Sequence, residues 1–146
     1  HAYVDLVMTK QGWKAVSALP IQHFFASSHL EKRAHVFSLM GRIANLLRRL
    51  LKGEEKNELL FNDVVKGFTL LSSGELAEED ASAMEVVLVM RILNNLGYWG
   101  DDATLSPFLT GDVAAQEHIE RIKKESAGWR TRAIGAINKA LQETQL

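Results

Sequence analysis

The chain contains no cysteine, and that absence excludes several kinds of site at once. Disulfide bonds, thiolate nucleophiles and zinc sites built from thiolates all need this side chain. Five histidines are present, but no two are four residues apart on one helix beside a carboxylate, so we expect no metal. The lack of cysteine also agrees with a cytoplasmic protein, which is the location that we predict.

Long apolar runs and the glycine patterns of familiar enzyme sites are also missing. The longest uninterrupted apolar run, Val86 to Met90, is far shorter than the roughly 20 residues that a bilayer requires. No P-loop, Rossmann glycine pattern or Gly-x-Ser-x-Gly elbow occurs, and the carboxylates cluster in predicted linkers. We therefore expect a protein that neither spans a membrane nor acts as an enzyme, and that carries no cofactor.

The charges are distributed unevenly along a chain of ordinary globular composition. Its 146 residues are 47% hydrophobic and 24% charged, which suits one domain with an adequate core. Residues 30–52 contain six cations and one acid, whereas residues 75–102 contain seven acids and one cation. The formal net charge of -1 thus hides two surfaces that we expect to carry opposite potentials.

Apolar periodicity predicts a β-hairpin in residues 1–19 and helices over most of residues 20–146. A turn at residues 10–12 joins two extended segments, and Pro20 ends the second one. An isolated hairpin is marginal in water, so we expect it to pack on the helices or to belong to a larger sheet. The predicted fold class is mainly α, a small bundle of four or five helices with an N-terminal β-hairpin.

Capping signals place the first helices of the bundle. A short helical turn is predicted at residues 21–26, and Ser28 with Glu31 forms a capping-box pattern. The long amphipathic helix that starts there is predicted to end at Gly53. Its core-facing residues are predicted to be Val36, Met40, Ile43, Leu47, Leu50 and Leu51.

Three further helical segments complete the predicted bundle. One spans residues 57–71, and a central, mostly apolar helix spans residues 80–96. After a loop at residues 101–111, Asp112 is predicted to cap a closing helix, in which Gly128 allows a bend or break. The core-facing residues of that closing segment are predicted to be Ala115, Ile119, Ile122, Trp129, Ala133 and Ile137.

Arg91 is the only cation in the central helix. On a helical wheel it lies close to Met84, Leu88 and Asn95. Its guanidinium must be paired, reach outward to solvent or line a groove. A paired, structural arginine is the favoured interpretation, and a contact with a partner is the alternative.

Cations recur on the polar face of the first long helix. A row of cations on one helix can follow the phosphates of a nucleic acid, although an ordinary solvated surface explains it equally well. The predicted DNA-binding residues are Arg42, Arg48, Arg49 and Lys52. A second group, formed by Lys123, Lys124, Arg130 and Arg132, is interleaved with acids and indicates intrahelical pairing.

Three tryptophans are candidates for stacking on bases, as aromatic side chains do in proteins that bind single strands. Trp129 lies on the predicted core stripe, so we expect it to be buried. Trp99 should cover one end of the bundle. Trp13 is the best candidate for an exposed ring, although packing against the bundle is the favoured prediction for it.

Two helical segments carry a resemblance to a known family. One reads Leu-Leu-Phe-x-x-Val-x-x-Gly-Phe-x-Leu-Leu, and the other is an apolar helix that ends in Leu-Gly-Tyr. The residues concerned are Leu59, Leu60, Phe61, Val64, Gly67, Phe68, Leu70, Leu71, Leu93, Leu96, Gly97 and Tyr98. With the preceding hairpin and the final helical tail, this order resembles the C-terminal helical domain of the RecO family of bacterial recombination mediators.

The resemblance implies a non-enzymatic helper of DNA repair and homologous recombination. Such a protein would bind single- and double-stranded DNA, associate with RecR and with the acidic C-terminal tail of single-stranded DNA-binding protein, and assist RecA loading. The resemblance also implies that the chain opens at the last hairpin of an oligonucleotide-binding barrel. Many members carry a four-cysteine zinc site after the Gly-Tyr, and this chain departs from them there.

The partner site implied by the resemblance needs an apolar groove with a cation for the carboxylates of the tail. Arg91 is the leading candidate for that cation, followed by Lys123 and Lys124. The residues by themselves support only a binding module. A helical protein-protein interaction domain without a nucleic-acid role remains the alternative.

Overall fold

The computed structural model describes residues 1–21, 34–51, 56–124 and 128–144. Two antiparallel strands, β1 (Ala2–Thr9) and β2 (Gly12–Pro20), come first. Six helices follow within the described ranges: α1 (Ala34–Leu50), α2 (Glu58–Ser73), α3 (Glu78–Asn95), α4 (Ser106–Leu109), α5 (Gln116–Lys124) and α6 (Gly128–Glu143). The predicted helical bundle with an N-terminal hairpin is confirmed. None of the helices so described is long and apolar enough to cross a bilayer.

The hairpin has a tight turn and a bulge. Gly12 takes a φ of +108°, which favours glycine, and the Thr9 hydroxyl donates a hydrogen bond of 2.7 Å to the Gly12 carbonyl. Asp5 faces Ser17 across the strands and accepts a hydrogen bond from its hydroxyl. The next pair joins residues 6 and 15, so Val16 is left as the extra residue of a bulge in β2.

The register divides the hairpin into two unlike faces, since cross-strand partners share a face and successive residues alternate. One face is entirely apolar and consists of Ala2, Val4, Leu6, Met8, Trp13, Ala15, Ala18 and Pro20. The other face is mixed and consists of Tyr3, Asp5, Val7, Thr9, Gly12, Lys14, Ser17 and Leu19. No residue of either strand is buried.

Trp13 is 50% exposed and belongs to the apolar face of the hairpin. Its packing against the bundle stays a prediction. The described hairpin approaches the bundle at its start, where the rings of His1 and Phe61 meet edge to face with centroids 5.8 Å apart. Leu6 and Met8 on the apolar face are 53% and 58% exposed, and a sheet with an apolar face so exposed requires further partners.

Helix α3 is the centre of the bundle, as the sequence predicts. Its neighbours are α1, α2, α4, α5 and α6. Nine of its residues are buried, which leaves little of its surface for water. Three acids in its first turn, Glu78, Glu79 and Asp80, stand where the helix dipole favours negative charge.

The Leu-Gly-Tyr sequence ends α3 by a defined hydrogen-bonded motif. Gly97 takes a φ of +76°, and its N–H donates to the Asn94 carbonyl over 3.0 Å. The Tyr98 N–H donates to the Leu93 carbonyl over 2.8 Å. These two bonds form a Schellman motif, in which a glycine in the left-handed region lets the last carbonyls of the helix find donors.

Several predicted boundaries change in the C-terminal half. Asp112 does not cap a helix: its carboxylate accepts from the Ala114 N–H over 3.0 Å in a turn, and α5 begins only at Gln116. The predicted closing helix corresponds to α5 and α6, which lie on either side of residues 125–127, outside the described ranges. The predicted loop at residues 101–111 contains the one-turn helix α4, whose first turn includes Pro107.

The first long helix agrees with its prediction in the part that can be compared. The helical turn is predicted at residues 21–26, of which only residue 21 is described. The capping box of Ser28 and Glu31 and the end at Gly53 lie outside the described residues. Within α1, Leu39 is fully buried although the predicted stripe omits it, whereas Leu51 is 47% exposed. The buried face of α1 therefore includes Leu39, whereas Leu51, just after the helix, is exposed.

Gly67 marks the closest approach of α2 to α3. A Cβ added at this position would lie 2.5 Å from Cδ2 and 3.0 Å from Cγ of Leu88, which is fully buried. Glycine thus lets the two helices approach each other at this point. Gly41 in α1 has nothing within 4 Å of the same added atom.

The substitution Gly67→Ala should destabilise the protein, because overpacking a core costs about 1 to 3 kcal/mol and outweighs the gain in helix propensity of at most about 1 kcal/mol. Gly41→Ala is the matched control, and it should stabilise the protein by about 0.5 to 1 kcal/mol. Urea denaturation of the two variants and the parent measures both changes. Equal free energies of unfolding for the two variants would contradict the close approach.

Candidate functional site

A buried arginine lies where α2, α3, α4 and α5 meet. Arg91 is 2% exposed, and its Nη1 lies 3.0 Å from Oδ1 of Asp63 on α2. The remaining N–H groups of its guanidinium point at backbone carbonyls and at one imidazole. These contacts are Nε to Phe108 O at 2.9 Å, Nη1 to Gly111 O at 2.9 Å, Nη2 to Thr110 O at 2.7 Å and Nη2 to His118 Nε2 at 3.1 Å.

Every donor of this guanidinium therefore has an acceptor. Arginine carries five N–H groups in a rigid fork, and the five contacts use all of them. The carbonyls belong to the end of α4 and the turn after it, where a short helix leaves carbonyls without internal partners. Arg91 thus satisfies the end of α4 and holds it against α3.

The contact with Arg91 determines the proton position on His118. Nε2 of His118 lies 3.1 Å from Nη2 of Arg91 and 3.2 Å from the Phe108 carbonyl. An arginine guanidinium keeps its proton and can only donate, so the shorter contact assigns Nε2 as an acceptor and the ring proton to Nδ1. The side chain is 4% exposed, and burial lowers the pKa of His118. The Phe108 carbonyl acts in the opposite direction, and the charge of Arg91 lowers the pKa further. His118 is therefore a neutral acceptor in this structure.

Two asparagines extend the cluster. Oδ2 of Asp63 accepts from Nδ2 of Asn95 over 3.2 Å. Asn57 donates from Nδ2 to the Asn95 carbonyl over 3.3 Å, and its Oδ1 caps α2 by accepting from Leu60 N–H over 2.9 Å. The end of α3 is thereby tied to the start of α2 and to the carboxylate that neutralises Arg91.

Of the two roles that the sequence leaves open for Arg91, the geometry favours the structural one. A guanidinium with five partners and 2% exposure would have to abandon its partners to meet the carboxylate of a peptide. We therefore do not include Arg91 in the binding surface proposed below. Sequence reasoning found the arginine but not Asp63 or His118, since no local pattern relates residues 28 and 27 positions away.

Truncation of Arg91 to Ala should destabilise the protein by about 3 to 5 kcal/mol, because it leaves Asp63 without its cation and three carbonyls without donors. Arg42→Ala is the matched control, since Arg42 is also paired with a carboxylate but is exposed. Its loss should cost no more than about 1 kcal/mol. Chemical denaturation of both variants measures the difference, and similar losses would show that burial of the pair does not matter.

The polar face of α1 is partly an interface with α3. Arg42 forms a two-pronged pair with Glu85, with Nε to Oε1 at 2.7 Å and Nη2 to Oε2 at 2.8 Å. These hydrogen bonds raise the pKa of Arg42. Two turns earlier on α1, His35 Nε2 lies 2.9 Å from the Ser82 hydroxyl, and Nδ1 lies 3.5 Å from Glu78. The sequence suggested that Arg42 belongs to a free cationic face opposite the core. Its pairing with Glu85 shows that it does not.

The remaining predicted DNA-binding residues lie at the end of α1. Arg48 and Arg49 are both exposed in its last turn, and Arg48 donates to Asn45 Oδ1 over 3.3 Å. Neither shows an ion pair with a carboxylate in the described part of the chain. Lys52 lies outside the described residues. Arg48 and Arg49 are therefore exposed cations in the last turn of α1, whereas Arg42 is paired with Glu85.

The second group of cations is mostly engaged. Lys124 pairs with Glu120 one turn away at 3.1 Å, as the sequence indicates. Arg132 binds Asp102 over 2.7 Å, and this hydrogen bond lowers the pKa of Asp102. Arg130 donates to the Glu79 carbonyl over 3.3 Å. Lys123 is exposed at the end of α5.

An apolar groove that sequence reasoning missed lies between the end of α1 and the start of α2. Its volume is about 770 Å³, and Leu51, Phe61 and Lys56 are among its lining residues. Leu51 is 47% exposed and Phe61 is 55% exposed, so the groove presents apolar surface to solvent. Lys56 pairs with Glu58 at 2.5 Å. Arg48 and Arg49 lie in the last turn of α1, just before Leu51, which lines the groove.

The two remaining tryptophans agree with their predictions. Trp129 is 7% exposed and stacks on Phe108, with ring centroids 4.4 Å apart and an interplanar angle of 18°. Trp99 follows α3 and packs, partly buried, against the core. The stack joins α4 to α6, so the loop held by Arg91 also positions an aromatic pair of the core.

Within residues 1–21, 34–51, 56–124 and 128–144, no three histidine, aspartate or glutamate side chains lie close enough together to hold a metal ion. Comparison of the chain with protein-family models, with curated proteins and with solved structures finds no match. The functional argument therefore depends on the surfaces described above.

Proposed function

We propose that this chain forms the helical domain and the adjoining hairpin of a non-enzymatic mediator of DNA repair and recombination that resembles RecO. It binds single- and double-stranded DNA in the cytoplasm, associates with RecR and with the acidic tail of single-stranded DNA-binding protein, and assists the loading of RecA. The apolar face of the hairpin is the single observation that most supports this proposal.

The hairpin has an apolar face and two strand edges that are not paired to another described strand. Cover for such a face that also supplies backbone partners to both edges must itself be β-structure. The bulge at Val16 bends and twists the strands, as bulges do at the rims of barrels. The hairpin therefore suits the edge of an oligonucleotide-binding barrel, which the resemblance implies.

The DNA contact of the helical domain is assigned to Arg48, Arg49 and the neighbouring Lys52. Phosphate binding needs cations that are exposed and not already neutralised by carboxylates. Arg48 and Arg49 meet this condition in the described chain, whereas Arg42 is neutralised by Glu85. Reversing Arg42 would also place two carboxylates together, so it is a poor test of DNA binding.

The double reversal Arg48→Glu with Arg49→Glu should weaken binding to a labelled oligonucleotide and reduce the slope of log affinity against log salt by about 2, one for each lost phosphate contact. Lys123→Glu with Lys139→Glu is the matched control, because it makes the same change in net charge at exposed positions of α5 and α6. Fluorescence anisotropy over a range of salt concentrations measures both quantities. Equal losses in the two variants would reflect net charge alone and would favour the helical interaction domain without a nucleic-acid role.

The acidic tail is assigned to the groove between α1 and α2. A peptide with apolar residues next to carboxylates matches a groove with an apolar floor and Lys56 in its lining. Arg48 and Arg49 do not line the groove, but they lie in the helix turn just before Leu51, which does. Lys123 and Lys124, which the sequence suggested for this role, lie at the end of α5 and do not line it. The apolar lining and the cations near it support the proposed partner site.

Leu51→Glu should weaken binding of a labelled acidic tail peptide at least tenfold, because it adds a negative charge to the apolar lining of the groove. Ile134→Glu is the matched control, since Ile134 on α6 is 44% exposed, close to the 47% of Leu51, and lies outside the groove. Circular dichroism should show that both variants fold. Peptide affinity that is unchanged in Leu51→Glu, or reduced equally in both variants, would exclude the groove as the tail site.

A further inference from the structure

His118 occupies a position that tolerates only one of its two protonation states. Its Nε2 accepts from Arg91 over 3.1 Å, and its ring meets Phe108 edge to face with centroids 6.3 Å apart. A proton on Nε2 would leave the facing N–H of Arg91 without its acceptor and place two cations side by side at a ring that is only 4% exposed. The Phe108 carbonyl, 3.2 Å from Nε2, already accepts from Nε of Arg91. The neutral ring is therefore part of what holds α5 against α3.

We propose that His118 is an acid-sensitive latch, whose protonation releases α4, α5 and the turn between them from the Arg91 side of α3. The segment is attached to α3 through buried apolar side chains, among them Phe108 and Ile122, and through one guanidinium. That guanidinium binds the carbonyls of Phe108, Thr110 and Gly111 as well as the imidazole. Repulsion between a protonated His118 and Arg91 acts on the same guanidinium that binds Asp63 and the three carbonyls. Protonation of His118 thus weakens the polar attachment of α4 and α5 to α3.

The charges around His118 do not offset the added proton. Arg91 faces it from α3, and Arg121 is on its own helix. Asp63 of α2 is already engaged by Arg91 and Asn95, and Asp112 of the preceding turn is engaged by Lys66 of α2 at 2.6 Å. Glu117 on the same helix pairs with Arg121 at 3.2 Å and is exposed. The element α6 reaches the cluster through Trp129, which carries no charge.

Solvent lies next to the latch. His118 lines a cavity of about 530 Å³ together with Arg121 and Asp112. A proton therefore has a route to the ring that leaves the stacked Phe108 and Trp129 in place. Opening of this segment does not require the α1, α2 and α3 core to separate.

The direction of the pH effect follows from linkage. In the closed state, burial and then the charge of Arg91 lower the pKa of His118 against the opposing Phe108 carbonyl, whereas the released ring returns to its ordinary value of 6.5. Above pH 6.5 both states are neutral and the closed state is fully favoured. As pH falls from 6.5 through the lowered pKa, opening takes up a proton and becomes up to about tenfold more favourable per pH unit. The carboxylates Asp102 and Asp112, whose pKa values are also lowered, titrate far below this window.

Hydrogen exchange at pH 7.5, 6.5 and 5.5, corrected for the intrinsic pH dependence of exchange, tests the latch in the full chain. Protection factors of amides in α5 should fall up to about tenfold between pH 6.5 and 5.5, while those in α3 should not. His118→Gln should abolish the change, because its Oε1 accepts from Arg91 and does not titrate. His35→Gln is the control, since His35 also binds a neighbouring helix, and it should leave the change intact.

Three results would overturn the proposal. The first is unchanged protection of α5 between pH 7.5 and 5.5 in the parent protein. The second is equal loss of protection in α3 and α5, which would indicate global unfolding. The third is an NMR titration of the parent protein in which the imidazole of His118 titrates at or above its ordinary pKa, and this measurement does not depend on whether His118→Gln folds.

Discussion

One buried positive charge organises the C-terminal half of this protein. Arg91 lies in the most extensively buried of the described helices, where an unpaired guanidinium would cost several kcal/mol. The fold meets this constraint by surrounding the guanidinium with a carboxylate, three carbonyls and a neutral imidazole. The position of α4, the turn after it and the start of α5 all follow from supplying those acceptors.

The same arrangement explains why a one-turn helix is stable at that point. Helix α4 has only four residues, and its carbonyls find few partners within it. Arg91 supplies donors from outside, and Arg121 donates to the Pro107 carbonyl over 2.7 Å. Phe108 is thereby held where it stacks on Trp129, so a polar contact and an aromatic contact fix the same short segment.

Charge on the surface is also organised by the packing of helices. Helix α1 comes from the cation-rich part of the chain and α3 from the acid-rich part. The two helices pack against each other and are joined by the pair of Arg42 and Glu85. Within α1, Arg48 and Arg49 lie beyond this contact and show no ion pair with a described carboxylate. The exposed positive charge of α1 is therefore confined to its last turn, close to an apolar groove.

Much of the fold can be read from local pattern. The hairpin, the central position of α3, the burial of Trp129 and the glycine that ends α3 all depend on residues within a few positions of one another. Apolar periodicity and turn chemistry act over that distance, so the sequence by itself determined these elements. The resemblance to RecO comes from the same local patterns and remains a prediction.

The partners of the charged residues were decided only by the tertiary structure. Arg91 and Asp63 are 28 positions apart, and Arg42 and Glu85 are 43 positions apart. Which acid reaches which arginine depends on how α1 and α2 lie against α3, which is a matter of side-chain packing between elements. The groove between α1 and α2 has the same origin. Periodicity shows which face of a helix is apolar, but only the docked helices show where that face remains open to solvent.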